Sequence, residues 1–115
     1  MSRGEVRVFV HHRAADRTAE PVQAAYLMAA AGLAGTPGYR GDELLSPQAD
    51  ARRRTLLMRW DGVESYSDWE RAHRDRGHPS PLRAYQDREL PGGHYETFIV
   101  VAASRGDEQQ TTATD

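Results

Sequence analysis

The chain has 115 residues and a formal net charge of −2, with 38 % hydrophobic and 28 % charged residues, which fits one globular domain. It contains no cysteine, which excludes disulfides, zinc fingers, iron–sulfur clusters and a thiol nucleophile. No basic stripe marks a nucleic-acid partner, no apolar run approaches the roughly 20 residues needed to span a bilayer, and the start MSRGEVRVFV is too short and charged for a secretion signal, so a cytoplasmic location is expected.

All 15 basic residues are arginine, and asparagine is absent too, a bias expected of a GC-rich genome. The missing lysine excludes a Schiff base and a Walker-type phosphate loop.

Residues 5–12, EVRVFVHH, read as a strand, with Val6, Val8 and Val10 alternating with Arg7, Phe9 and His11. Both faces carry apolar groups, so both are expected to be covered. From Pro21 to Leu33 the period becomes helical, with Val22, Tyr26, Ala29 and Leu33 on one stripe; Pro21 suits a first turn, and Gly35 with Pro37 stops the helix. Residues 39–46 follow the turn Thr36-Pro37-Gly38 and read as a second strand, 47–52 (PQADAR) as a hairpin loop, and 54–60 (RTLLMRW) as a third strand. Asp61 and Glu64 have capping-box spacing and open a second helix over about 62–76, which Gly77 ends. Ser80-Pro81 starts a short helical piece to Tyr85, Pro91-Gly92-Gly93 turns the chain, and 94–102 (HYETFIVVA) is the last strand. The tail from Ser104 is polar and expected to be disordered.

The order β-α-β-β-α-β is the ferredoxin-like arrangement in the α+β class: a four-stranded antiparallel sheet with both helices on one face. The other face carries Phe9 and either Phe98 or Ile99, and an uncovered apolar face predicts pairing sheet to sheet with a second copy into a barrel-like homodimer.

The second helix holds the chemistry. Tyr66, Trp69 and His73 stand at helical spacing on one stripe with Val63, while Glu64, Asp68, Arg71, Arg74 and Asp75 fall elsewhere. The stripe faces the sheet as core packing, or as the wall of an apolar pocket with polar tips. A metal site is not expected: Glu70-x-x-His73 is half of a di-iron motif, His73 and His78 lie on different sides of the helix, and His11 and His12 point to opposite faces of a strand.

RTLLMRW, then DGVESYSDW, then a histidine, together with the upstream PGYRGDELLSP, resembles the antibiotic biosynthesis monooxygenase family over residues 5–102. The resemblance implies a dimeric α/β barrel, with the family domain over 1–103 and a tail over 104–115. Some members of that family oxygenate aromatic polyketides without metal or flavin; in them a tryptophan matches Trp60 and a tyrosine matches Tyr66, while Leu56 stands where they have asparagine. Others bind and degrade heme, with a tryptophan matching Trp69 and an axial histidine near His78; their first-strand asparagine falls near His12.

The resemblance thus implies a cofactor-independent monooxygenase acting on a hydroquinone or anthrone-type aromatic with O2. Tyr66, Trp69, His73 and His78 are its candidate catalytic residues, and Phe9, His12, Met58 and Trp60 its candidate substrate contacts. The alternatives are a heme-binding or heme-degrading protein, and a non-redox polyketide cyclase or ligand-binding protein on the same fold.

Overall fold

The computed structural model describes residues 4–14, 19–75 and 80–106, without the side chain of Asp75. Within them the elements are β1 (Val6–Arg13), α1 (Glu20–Leu33), β2 (Tyr39–Leu45), β3 (Arg53–Trp60), α2 (Val63–Asp75), a 3-10 turn (Arg83–Tyr85) and β4 (Tyr95–Ile99). One antiparallel sheet runs β2-β3-β1-β4, the ferredoxin-like order.

Register divides the sheet into two faces. Val6, Val8 and Val10 stand opposite Trp60, Met58 and Leu56, and these even-numbered positions turn toward the helices. Val6, Val8, Met58 and Trp60 are buried there with Val22, Ala25 and Leu33 of α1. Each such aliphatic side chain removed from water contributes about 1.5–3 kcal/mol, which explains why α1 docks by the Val22–Leu33 stripe although Ala19, its N-cap, supplies no side-chain cap.

Gly38 ends the α1–β2 turn at φ +80°, a conformation that favours glycine. A side chain there would also run into Ser65 at the start of α2. Asp61 accepts a hydrogen bond from the Ser65 hydroxyl, and the Asp61 amide donates to the Gly38 carbonyl at 2.8 Å, so this glycine sets how closely α2 begins against β2.

Three expectations need correction. The last strand spans Tyr95–Ile99, not 94–102, with backbone hydrogen bonds reaching one residue further at each end, from His94 to His11 and from Val100 to Glu5 and Gly4. Val63 is 48 % exposed and does not continue the buried stripe of α2. The short piece after Ser80 is a single 3-10 turn, with Leu82 buried just before it. Of the polar tail expected from 104, residues 107–115 lie outside the described residues.

Phe98, not Ile99, shares the outer face with Phe9; their rings meet edge to face at 5.5 Å. Around them run the pairs Arg7–Glu5 (3.1 Å), Arg59–Glu43 (3.6 Å) and His11–Glu96 (4.0 Å).

Candidate functional site

α2 packs on β3, and its stripe forms a run of rings. Tyr66 stacks toward Trp69 with centroids 6.2 Å apart, and Trp69 stacks on His73 at 4.8 Å and 15°. Between this wall, the sheet and α1 lies a cavity of about 310 Å³, at the small end of the range for ligand sites. Val10, His12, Leu56 and Met58 rise into it from the sheet; Met28, Ala29 and Gly32 face it from α1.

The remaining side is built by the chain from just before the 3-10 turn to the start of β4, where Leu82, Gln86, His94 and Tyr95 reach the cavity. This segment is tied to β1. The Asp87 amide donates to the His11 carbonyl at 2.9 Å, the His11 amide donates to the His94 carbonyl at 2.7 Å, and Arg13 Nε donates to Asp87 Oδ2 at 3.3 Å. Asp87 is 8 % exposed, so its charge is offset by that guanidinium. Arg13 also reaches Asp50 on the β2–β3 loop.

Five of the eight candidate residues therefore line one cavity: Tyr66, Trp69 and His73 from α2, and His12 and Met58 from the sheet. Two are placed otherwise. Phe9 is an odd-numbered residue of β1 and stands on the outer face with Phe98, so it is not a wall of the cavity. Trp60 is fully buried beneath the site, 5.7 Å from Tyr66 and 5.4 Å from Trp69; it supports both rings without lining the cavity. Its Nε1 has no hydrogen-bond partner among the described residues. His78 lies outside the described residues.

Burial sets the protonation of the cavity groups. The Tyr66 hydroxyl is pushed up to about 12, first by burial and then by the charge of Glu70, so it keeps its proton at neutral pH and can donate a hydrogen bond. His12 is pulled down to about 4, mainly by burial, with His94 and His11 adding to the shift. The backbone at Arg54 and Val10 opposes that shift without reaching hydrogen-bond geometry, so neither ring nitrogen of His12 has a partner among the described residues. His94 is shifted down by burial and by the nearby charges of Arg88 and Arg83.

His94, Gln86 and Leu82 escaped the sequence reading. His94 stood there only as the first residue of a strand, and Leu82 only inside the short helical piece to Tyr85. A second polar cluster lies outside the cavity: Tyr26 of α1 and Tyr39 of β2 both donate to Asp42, which pushes Tyr26 up to about 12, while Tyr39 is raised first by burial and then by the same carboxylate. Tyr39 in turn meets Trp60 edge to face at 5.0 Å, so this cluster braces the floor from the α1 side. Among the described residues no group of three His, Asp or Glu side chains is placed to hold a metal ion, and no helix is long and apolar enough to cross a membrane.

No family model and no curated protein matches the chain. Solved structures do. A variant of SnoaB, a cofactor-independent oxygenase from Streptomyces nogalater, superposes with a TM-score of 0.65 at 17 % identity, over 90 % of this chain and 97 % of that one. A candidate antibiotic biosynthesis monooxygenase from Bordetella bronchiseptica gives 0.67 at 12 % identity, over 89 % and 100 %. MhuD, a heme-degrader from Mycobacterium tuberculosis with two hemes bound in its active site, gives 0.59 at 20 % identity, over 88 % and 99 %. The chain thus has the ferredoxin-like fold of these proteins over nearly its whole length. Identities this low carry the fold and leave the reaction to be argued from the cavity.

Proposed function

We propose that the chain is an oxygenase of the antibiotic biosynthesis monooxygenase kind, working in the cytoplasm without metal or flavin on a reduced aromatic of hydroquinone or anthrone type. The observation that carries this is the cavity itself: a small apolar slot with a stack of rings along one wall and a Tyr66 hydroxyl that holds its proton. SnoaB, which shares the fold, is a cofactor-independent oxygenase.

In this reading Trp69 and Tyr66 hold the flat substrate against Met58. His73, partly buried on the stack, takes a proton from the reduced ring. The resulting anion passes one electron to O2, and the two radicals combine into a carbon-bound hydroperoxide that regains the proton. Loss of water leaves a carbonyl, so a CH2 and O2 become C=O and H2O. The Tyr66 hydroxyl donates to the oxyanion that develops on the ring.

Heme binding is the competing reading, supported by the fold shared with MhuD. The cavity, at about 310 Å³, would have to widen to take a porphyrin, and the candidate axial residues are His73 and His78. Purified protein titrated with hemin distinguishes the two, since free-hemin spectra throughout remove the heme reading. A cyclase is separated by oxygen: turnover of an anthrone that continues anaerobically defeats the oxygenase. The decisive variants are Tyr66→Phe and His73→Ala, in which oxygen uptake is expected to fall on the order of a hundredfold with the fold intact. Unchanged uptake in both removes these assignments.

The same reading includes a homodimer formed through the outer face, where Phe98 is 51 % exposed beside Phe9 within a rim of ion pairs. Phe9→Glu is expected to yield monomer in sedimentation; a dimer unaffected by that charge places the contact elsewhere.

A further inference from the structure

His12 is the anomaly of the cavity. It is 1 % exposed, it lines the slot, and both ring nitrogens are without a hydrogen-bond partner among the described residues. Buried polar side chains are nearly always paired, and an unpaired one carries a desolvation cost that a purely structural residue has no reason to bear. The two preceding residues on the same strand face, Val8 and Val10, show that an aliphatic side chain fits this face of β1.

We propose that His12 is the recognition group of the cavity: its imidazole takes an un-ionised hydroxyl or carbonyl oxygen of the ligand, and so selects oxygen-substituted fused aromatics over bare hydrocarbons and over ring carboxylates. The inference rests on the cavity being the ligand site, as proposed above, but not on the oxygen chemistry.

The chemistry of the ring fits this role. A neutral imidazole presents one N–H and one lone pair, so it meets either a carbonyl or a hydroxyl. Burial keeps it uncharged at neutral pH and makes it a weak base, suited to recognition rather than to proton abstraction. A carboxylate placed against it would lose its own hydration and gain no opposite charge. Gln86 stands beside it across an isolated bridge between the cover segment and β1 and also lines the cavity, while its side-chain oxygen accepts from Arg88 at 2.7 Å. The ligand oxygen therefore enters between β1 and a segment held by the Arg13–Asp87 pair.

The test is calorimetric binding of three probes under nitrogen: naphthalene, naphthol and naphthoate. The wild-type chain is expected to bind naphthol about tenfold more tightly than naphthalene, the worth of one hydrogen bond to a buried group otherwise left unpaired, and to bind naphthoate more weakly than naphthol. His12→Leu is expected to bind naphthol and naphthalene alike, while remaining at least as resistant to urea at pH 7. Nitrogen NMR of the wild-type His12 ring supplies a readout that needs no variant, with a shift on adding naphthol and none with naphthalene. Equal binding of naphthol and naphthalene by the wild type overturns the proposal, as does naphthoate binding tightest, which hands selection to Arg83 and Arg88 near His94. A His12→Leu chain less stable than wild type overturns it too, since the imidazole is then structural. Loss of oxygen uptake on an anthrone with the binding preference intact defeats the oxygenase alone.

Discussion

Acid should unfold this protein partly through one buried imidazole, and the size of the effect can be worked out. His12 titrates at about 4 in the folded chain against 6.5 as an ordinary histidine. Between those two values the unfolded chain binds one more proton than the folded chain, so folding stability rises with pH across the window. It is fully present above about 6.5 and is lost as the pH falls toward about 4. The difference of about 2.5 units at 1.36 kcal/mol each amounts to about 3 kcal/mol, a large share of the stability of a small domain. His94 is shifted the same way, so the wild-type curve alone does not isolate the term. The measurement is urea unfolding at a series of pH values from 4 to 7 for wild type and His12→Leu. Titration of His94 is common to both and cancels apart from its coupling to His12. The two curves are expected to diverge on acidification, the wild type losing about 3 kcal/mol more than the variant. Curves that run parallel through the window would show that His12 does not sit neutral and desolvated in the folded chain.

Other perturbations test the scaffold. Trp60→Ala removes the largest fully buried side chain, with Tyr39, Tyr66 and Trp69 all leaning on it, and should cost about 3–5 kcal/mol by urea titration; a loss below about 1 kcal/mol would mean the ring stack does not rest on that floor. Gly38→Ala forces a side chain into φ +80° and against Ser65, for an expected loss of about 1–3 kcal/mol; an unchanged midpoint would show the α1–β2 turn to be free to move away from α2. Arg13→Ala leaves the nine-tenths-buried Asp87 carboxylate without its guanidinium; amide exchange should quicken over residues 80–94 before the sheet, and uniform protection would show the cover segment to be held by its backbone bonds alone.

The order of elements could be read because each switch of hydrophobic period is sharp: alternation at Val6–Val10, a helical stripe at Val22–Leu33, alternation again into Trp60. Ends were harder. The apolar run Phe98–Ala102 says strand throughout, yet the ladder ends at Ile99 opposite Val6, the first residue of β1, and Val100 bonds on to Glu5 and Gly4. The α2 stripe was legible as a wall, but period alone does not tell a packed stripe from a lined hollow; what opens the hollow is the small residues Ala29 and Gly32 on α1, a different part of the chain. Phe9 was read on the face away from the helices, as the register with β3 and β4 has it, and naming it a substrate contact went against that parity.

That parity is also what separates the two surfaces the protein presents. The even residues of β1 and β3 reach the helix side, where His12 and Met58 meet the cavity, while the odd ones (Arg7, Phe9, His11 and Leu57 among them) stand on the outer face. A slip of one residue between these strands would exchange the sets whole, putting Arg7 and His11 into the core and the valines outside. Arg7 pairs with Glu5 at 3.1 Å on the outer side, and burying that guanidinium unpaired would cost more than any packing recovered. The charges of the outer face thus fix which imidazole of the adjacent pair His11-His12 reaches the cavity. His11 is held outside by Thr55, whose hydroxyl lies 3.0 Å from its Nδ1, and by Glu96, leaving His12 as the imidazole that β1 sends to the cavity, with no hydrogen-bond partner for either nitrogen among the described residues.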